Sequence, residues 1–565
     1  MTVPKRSSKI LFAAATAVAT LALVSCELFR RSGAAPVSRA VLHDSVKTIV
    51  VIYAENRSFD NLYGKFPGAN GISTVLGADG KPTSAYVPQK DRDGVTLLPT
   101  LPPTWSGVTH GGTKPVVTQA QSAGLPNSPF AIETAFRPSA NVTLSTSTIT
   151  RDLWHRFYEN QMQINGGRND GFAAWSDAGG LTMGDFDYSS SAMFGLAREF
   201  ALADNFFQGA FGGSFLNHQY LICACAPVYP NADASPAKGS ISQVKKDASG
   251  NFIPALVTAS NSPASALDGP PVFANSGNLT PLNYFGDGTF YAVNTMQPPY
   301  EPSGNAPAKG ADRNPLITDP MRPTTLPPQT EATIGDRLTA KNVSWAWYGG
   351  SWNNAVADGP RELGERRVIY RTSRTGIATR DSVAFQPHHQ PFNYYTTFDP
   401  VAHPEYRAAH LKDYDDLVSA AASGTIPSVA FYKPEGVYNQ HEGETNLTEG
   451  DARIANLIGK LRASPQWKNM VVVVTYDEFG GAWDHVAPPK GDLLGPGTRI
   501  PAIIISPFAK KGTIDHTQYD TGSILRFISS VFGLDPLRGI TRRDSSLVAA
   551  GKPRMGDLTN ALNLR

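Results

Sequence analysis

Three short blocks hold the residues of this chain that can do chemistry. TIVVIYAENRSFD (48–60) ends an apolar, β-branched run with Glu55 and Asn56. VVVVTYDEFGG (471–481) ends another with Asp477 and Glu478. NFFQGAFGGSFLNHQYLICACAP (205–227) sets Ser214 behind two glycines and ahead of Asn217 and His218, in the manner of a strand-to-helix turn. Together with the Ser214 oxygen, Glu55, Asn56, Asp477 and Glu478 form an all-oxygen donor set. Such a set suits one hard divalent ion, Ca²⁺, Mg²⁺ or Mn²⁺, without choosing among them. A serine becomes a nucleophile when a metal or base lowers the cost of its alkoxide, and flanking glycines let backbone and substrate approach closely. Each block taken alone is also what an ordinary polar strand end or turn looks like.

The elements that must position these residues follow from periodicity. Strand-like runs recur at 48–53, 428–432, 471–476 and 501–506, and SWAWYGGSWNN (344–354) begins like another. Between them, YRAAHLKDYDDLVSAAASG (406–424) reads as a helix stopped by Gly424. DARIANLIGKLRAS (451–464) reads as a helix with Asp451 as N-cap and Ile454, Leu457, Ile458 and Leu461 inward, and TGSILRFISSVFG (521–533) as one ended by Gly533. Strands alternating with helices predict an α/β fold with a largely parallel central sheet covered by helices on both faces. In such sheets ligands gather at the carboxyl ends of the strands, which is where the carboxylates fall. The stretch at about 228–335, rich in Pro, Asn, Ser, Gly and Ala, predicts a loop-rich inserted lobe of short strands over the site's edge.

Composition narrows the class. With 41% hydrophobic, 17% charged and 10% aromatic residues, the 565-residue chain is globular. A formal net charge of +2 gives no argument for a nucleic-acid partner. The N-terminus reads as an export signal (1–26): a basic MTVPKRSSK, then the apolar ILFAAATAVATLALV (10–24), too short for a comfortable membrane span. It ends in Leu23, Val24, Ser25 and Cys26, which resembles a bacterial lipobox, with an ordinary secretory signal as the alternative. A polar linker (27–45) and a catalytic domain (46–565) follow. The expectation is an exported, periplasmic or cell-envelope protein, anchored to the membrane by lipid on Cys26 or secreted. Cys223 and Cys225 are either two buried thiols or a bridge closing a small ring, and at this spacing they cannot make a tetrahedral thiolate zinc site.

Taken together, the three blocks resemble the bacterial phosphoesterase family of the alkaline-phosphatase-like superfamily, which contains the secreted phospholipases C and a group of acid phosphatases. The resemblance runs from about Val46 to Leu534. Glu55, Asn56, Arg57, Ser58, Phe59 and Asp60 match the family's first block, whose Glu and Asn bind the metal, and TYDEFGGAWDHVAPP (475–489) implies Asp477 and Glu478 as further ligands. Phospholipase members carry Thr followed by x-Pro-Asn-Arg at the nucleophile block. Here Ser214, Phe215, Leu216, Asn217 and His218 stand there, and with LICACAP (221–227) this departure resembles the acid phosphatase branch. His155, the pair His388 and His389, and His441 fall in blocks that resemble that branch, with one of the pair or His441 expected as general acid and the two adjacent histidines in different roles. His485 beside Asp484 would orient the metal loop.

The resemblance implies a metal-dependent acid phosphatase that cleaves small phosphomonoesters through a phosphoserine at Ser214. An imidazolium acid with an ordinary value of about 6.5 implies mildly acidic working conditions. The nearest alternative is a phospholipase C acting on phospholipid, for which Trp345, Trp347 and Trp352 would furnish a choline cage unless they are core. A non-enzymatic surface lipoprotein is the third reading.

Overall fold

The computed structural model describes residues 38–110, 113–310, 313–370 and 385–564. Cys26, the leader and most of the 27–45 stretch lie outside the described residues. Eight strands form one sheet: β1 (Thr48–Ala54), β2 (Ala201–Ala203), β3 (Trp345–Gly349), β4 (Leu411–Asp413), β5 (Val429–Lys433), β6 (Met470–Tyr476), β7 (Ala502–Ile505) and β8 (Thr513–Asp515). Their order is β8-β2-β7-β6-β1-β5-β3-β4. Strands β6, β1, β5, β3 and β4 run parallel, as do β2 and β8, while β7 is antiparallel to both of its neighbours. The largely parallel sheet is as predicted. The reversal at β7 has a local cause: no helix lies between β6 and β7, so the chain returns by a loop and lacks the crossover a parallel pair requires. Every residue of β1, β5 and β6 is buried, the pattern of strands covered on both faces.

Three sequence expectations about elements shift. The stretch 406–424 divides into the helix Pro404–His410, strand β4 and the helix Tyr414–Ser423. Pairing of β4 with β3 interrupts the helical pattern, and Asp413 then opens the second helix through a capping box with Asp416. The helix expected from Asp451 starts at Leu447, capped by Asn446. Asp451 instead accepts from the amides of Ala192 and Met193 and from the Tyr188 hydroxyl, holding the start of the neighbouring helix Ala192–Glu199. The end of the expected linker is ordered: Arg39–Ser45 is a helix capped by Ser38, with Leu42 buried and His43 against Phe532. Gly424 and Gly533 do end their helices, both in the left-handed conformation.

Among the described residues of 228–335 there is one antiparallel pair, Val244–Lys246 with Phe252–Leu256, with short 3-10 turns and bridges besides. Arg156 fastens this stretch beside His155 by donating to the Ser276 and Gly277 carbonyls. Of the two readings of the cysteines, the structure has the bridge, Cys223–Cys225, at the end of the helix that Ser214 begins. Trp345, Trp347 and Trp352 are core residues at 2%, 0% and 4% exposure, stacked or packed on His410, Phe431 and Phe385. They cannot form an open cage.

Candidate active site

Strand register assembles the site. β1 and β6 pair so that Ala54 faces Tyr476, and Glu55 and Asp477 therefore leave the sheet side by side. β5 flanks β1 on the other edge with Ile52 opposite Tyr432, which sets Lys433 at the same end. Asn56 takes φ 62°, a left-handed conformation that asparagine tolerates better than most residues. Its amide donates to Asp477 Oδ1 at 3.0 Å, and the Arg57 amide donates to the Glu478 carbonyl at 2.9 Å. Gly480, at φ 63°, lies so close to Asn56 that an added Cβ would meet the Asn56 carbonyl oxygen at 2.3 Å, so the two ligand loops can touch only through a glycine.

Ser214 is the first residue of the helix Ser214–Cys223, capped by Gly213. Gly212, at φ 83°, passes against Phe157, where a Cβ would meet the Phe157 nitrogen at 2.4 Å. This close approach brings the helix start against the His155 segment. Asn217 staples the glycine loop: its Nδ2 donates to the carbonyls of Ala210, Gly212 and Gly213, and its Oδ1 accepts from the Ala210 amide. Gln208 braces the same loop and accepts from the Phe479 amide, which joins the serine loop to the Asp477–Glu478 loop.

Ser214 Oγ lies 3.4 Å from each of Glu55 Oε1, Asn56 Oδ1 and Glu478 Oε1. His389 Nε2 stands 2.9 Å from Glu55 Oε1, and His155 Nε2 3.6 Å from Glu478 Oε1. His441 lies edge-on to His155, with ring centroids 5.6 Å apart. His388 contacts the Tyr370 hydroxyl at 3.4 Å, so the adjacent histidines have different partners. Asp477, expected to face the cation, is otherwise engaged: Oδ1 accepts from the Asn56 and Glu478 amides, and Oδ2 faces Lys433 at 3.4 Å. Asp484 is paired to Arg499 and His485 to Asp60 at 2.6 Å. Because Asp60 follows Asn56 closely in the chain, this cluster ties the two ligand loops together.

Electrostatics separate the groups. Burial works against the Glu55 carboxylate, yet His389, Lys433 and His441 hold it well below the ordinary range. Burial and the Asp477 charge push Glu478 well above it. Burial pulls His389 down despite Glu55, and it pulls His388 and His218 down further, with neighbouring positive charge adding to the effect. For His441 burial also opposes the charged form, but Glu444, Asp152, Glu55 and Glu442 together push it up to about 10. The mildly acidic preference expected from an ordinary imidazole therefore does not follow for His441.

The residues present fit a hard cation. Two buried carboxylates, Glu55 and Glu478, and the Asn56 amide oxygen face the Ser214 oxygen with Asp477 just behind them, a set of hard oxygen donors that suits a divalent ion. Glu55 with His388 and His389, and Asp152 with His155 and His441, are further groups close enough to share an ion. Sequence reasoning missed Lys433, Gln208 and Asn439, whose Nδ2 donates to Glu55 Oε2. Lys433 carried the same signal as Glu55, a polar residue ending an apolar strand. A separate cavity of about 1170 Å³ lies at the far end of the Ser214 helix, lined by Phe211, Cys225, Phe285, Tyr291 and Arg542, and none of the Ser214 cluster lines it.

Fold and site thus define an α/β protein with a serine, carboxylate and histidine cluster at the ends of parallel strands. The Phosphoesterase family model matches residues 46–535, and the chain belongs to that family. Parts of it are similar to non-specific phospholipase C5 of Arabidopsis thaliana, 29% identical over 160 residues covering 22% of this chain and 30% of that protein. The chain is likewise similar over part of its length to the non-hemolytic phospholipase C of Pseudomonas aeruginosa (25% identity; 26% and 25% covered) and to phospholipase C B of Mycobacterium tuberculosis (26% identity; 26% and 32% covered). The chain thus spans about a third or less of the length of these curated relatives. Among solved structures, phosphonate monoester hydrolase SpPMH from Silicibacter pomeroyi is similar over 61% of this chain and 68% of that one, at 14% identity and a TM-score of 0.20. The lipoteichoic acid synthase LtaP from Listeria monocytogenes is similar over 67% and 70%, at 12% identity and a TM-score of 0.23.

Proposed function

We propose that the chain is an exported, metal-dependent phosphoric ester hydrolase that cleaves phosphomonoesters through a phosphoserine at Ser214. The observation that carries this reading is the convergence of Glu55, Asn56 and Glu478 on Ser214 Oγ at the first position of a ten-residue helix. Amides at a helix start lack backbone acceptors and favour an anion, so a phosphoryl group at Ser214 meets both donors and dipole. Membership of the Phosphoesterase family supports phosphoester chemistry.

Glu55, Asn56, Glu478 and the Ser214 oxygen would hold the divalent ion, which when bound supplies charge neutralisation for alkoxide and phosphoryl oxygens. The chain's own residues do the rest. Ser214 Oγ attacks phosphorus as its proton passes toward the Glu478 carboxylate beside it, whose proton affinity burial and Asp477 raise, and the bond from phosphorus to the alcohol oxygen breaks. His441, held protonated by its four carboxylate neighbours, gives its proton to the departing alkoxide. Water then attacks the phosphoserine, giving one proton to the now neutral His441 as the Glu478 carboxyl returns its proton to the Ser214 oxygen; phosphate leaves and the Ser214 hydroxyl is restored. Glu55 orients His389, which faces the same space.

The monoester choice rests on the Ser214–His218 block and on the burial of the tryptophans that a choline cage would need. The phospholipase C reading has its own support, the names of the similar proteins. A comparison of kcat/KM for p-nitrophenyl phosphate and p-nitrophenyl phosphorylcholine decides. The expected ratio is at least about tenfold in favour of the monoester, about 1.4 kcal/mol. The reverse preference makes the protein a phospholipase C, and activity on neither supports the lipoprotein reading. Export and anchoring at Cys26 belong to the same proposal: palmitate label should enter the wild type and not Cys26→Ser, and equal labelling would leave a plain secretory signal.

A further inference from the structure

Among the described residues, Lys433 is the ammonium that strand register places among the carboxylates, and the proposed chemistry leaves it without a task. It ends β5 with its side chain fully buried. Nζ stands 3.4 Å from Glu55 Oε2, 3.4 Å from Asp477 Oδ2 and 3.4 Å from the Ala54 carbonyl, and 5.6 Å from the centre of the Tyr53 ring. The oxygens divide cleanly between two roles. Glu55 Oε2 serves Lys433 and Asn439, Glu478 Oε2 accepts from the Gly480 amide, and Asp477 Oδ1 accepts from two amides while its Oδ2 faces Lys433 at 3.4 Å and His218 Nδ1 at 3.8 Å. The oxygens that face Ser214 are Glu55 Oε1, Glu478 Oε1 and Asn56 Oδ1.

An ammonium whose contacts are Glu55 Oε2 and Asp477 Oδ2, and not the oxygens that face Ser214, changes the charge of the site without competing for those ligand atoms. Removing that ammonium makes the surroundings of the ion one formal charge more negative, which strengthens the attraction for a trivalent ion more than for a divalent one. A low-dielectric interior magnifies that difference, because solvent cannot screen the missing charge.

We infer that Lys433 is a positioning residue that sets the cation site's charge, so that the site selects divalent over trivalent ions, with Glu55 and Asp477 as its partners. This inference rests on the metal-site reading of the proposed function. The test compares binding of Mn²⁺ and Tb³⁺ to the full chain by calorimetry and by terbium luminescence. In Lys433→Met the affinity for Tb³⁺ relative to Mn²⁺ should rise at least about tenfold, and Lys433→Arg should keep the wild-type ratio. Asp477→Asn, which removes a negative charge, should lower the ratio by a similar factor, and it carries the test alone if Lys433→Met does not fold. A purely structural lysine would weaken both ions together and leave the ratio unchanged, an outcome that overturns the inference while sparing the metal site. A wild type that binds neither ion overturns the metal reading and this inference with it.

Discussion

Asn217 offers the sharpest test of how the serine loop is held. Its side chain is fully buried, with Nδ2 donating to the carbonyls of Ala210 at 3.1 Å, Gly212 at 3.2 Å and Gly213 at 3.2 Å, and Oδ1 accepting from the Ala210 amide at 2.9 Å. In Asn217→Ala the carbonyls of Ala210 and Gly212 keep Gln208 as donor, and Gly213 keeps the backbone amide of residue 217. Only the Ala210 amide is orphaned. One buried unpaired amide plus a small cavity costs about 2–4 kcal/mol of stability. Asn217→Asp keeps the acceptor for Ala210 but turns a carboxylate oxygen toward three carbonyl oxygens, so it should lose at least about 1 kcal/mol more than the alanine variant. That ordering inverts intuition about conservative change. Urea midpoints of the three proteins measure it, and the kcat for p-nitrophenyl phosphate should fall about tenfold to a hundredfold in both variants because Ser214 shifts with its loop. An Asn217→Asp variant as stable as the wild type, or an alanine variant within about threefold of wild-type kcat, would show that the loop does not depend on this staple.

Ser214→Ala should lower kcat by at least about a hundredfold, some 2.7 kcal/mol, and a residual rate above a tenth of wild type would mean that another group attacks. Glu55→Gln and removal of metal by a chelator should each reduce bound metal and turnover together; full turnover in protein shown by elemental analysis to be metal-free would end the metal-assisted reading. His441 is raised in the folded state, so its stabilising contribution is complete below about pH 6.5 and is lost as pH climbs toward about 10. In chelator, the urea midpoint of the wild type should fall across that window and His441→Gln should flatten the fall; equal slopes would remove the carboxylate cluster as the cause. Arg499→Met leaves Asp484 buried without its cation and Asp60 with His485 alone, and should cost about 3–5 kcal/mol, read as a shift in urea midpoint, whereas a loss under about 1 kcal/mol would show the loops are tied elsewhere.

The sheet was legible because its central strands are unbroken apolar runs: TIVVIYA and MVVVVTY need no pattern beyond hydrophobicity and length to be placed inside. The antiparallel β7 was not, since AIII reads the same in either direction and only the loop before it decides. The helix at 451–464 shows a subtler limit. Its inward face was right, but Asp451 is an acceptor for a different helix, a tertiary contact that overrides the local capping rule. The helical pattern at 406–424 likewise gave way to three residues of pairing with β3, visible only once β3 is in place.

At the site the types of the residues were legible and their division of labour was not. Glu55, Asn56, Glu478 and Ser214 come together where expected, because chemistry-bearing residues at strand ends need only parallel register to meet. Asp477 and Glu478, adjacent in sequence, looked equivalent. Yet successive side chains leaving a strand point in opposite directions, and one of the pair must turn back toward the neighbouring strands while the other reaches Ser214. Asp477 turns back, to the amides of Asn56 and Glu478 and to Lys433, and so fixes the loops that hold the ligands. The same geometry accounts for Lys433. A lysine that ends a strand buried at every position has no solvent to reach, and the groups able to receive its charge are the carboxylates at the neighbouring strand ends. A sequence with polar residues closing three buried strands, two acidic and one basic, therefore already implies a compensated charge cluster at one edge of the sheet, whatever ion or substrate it finally serves.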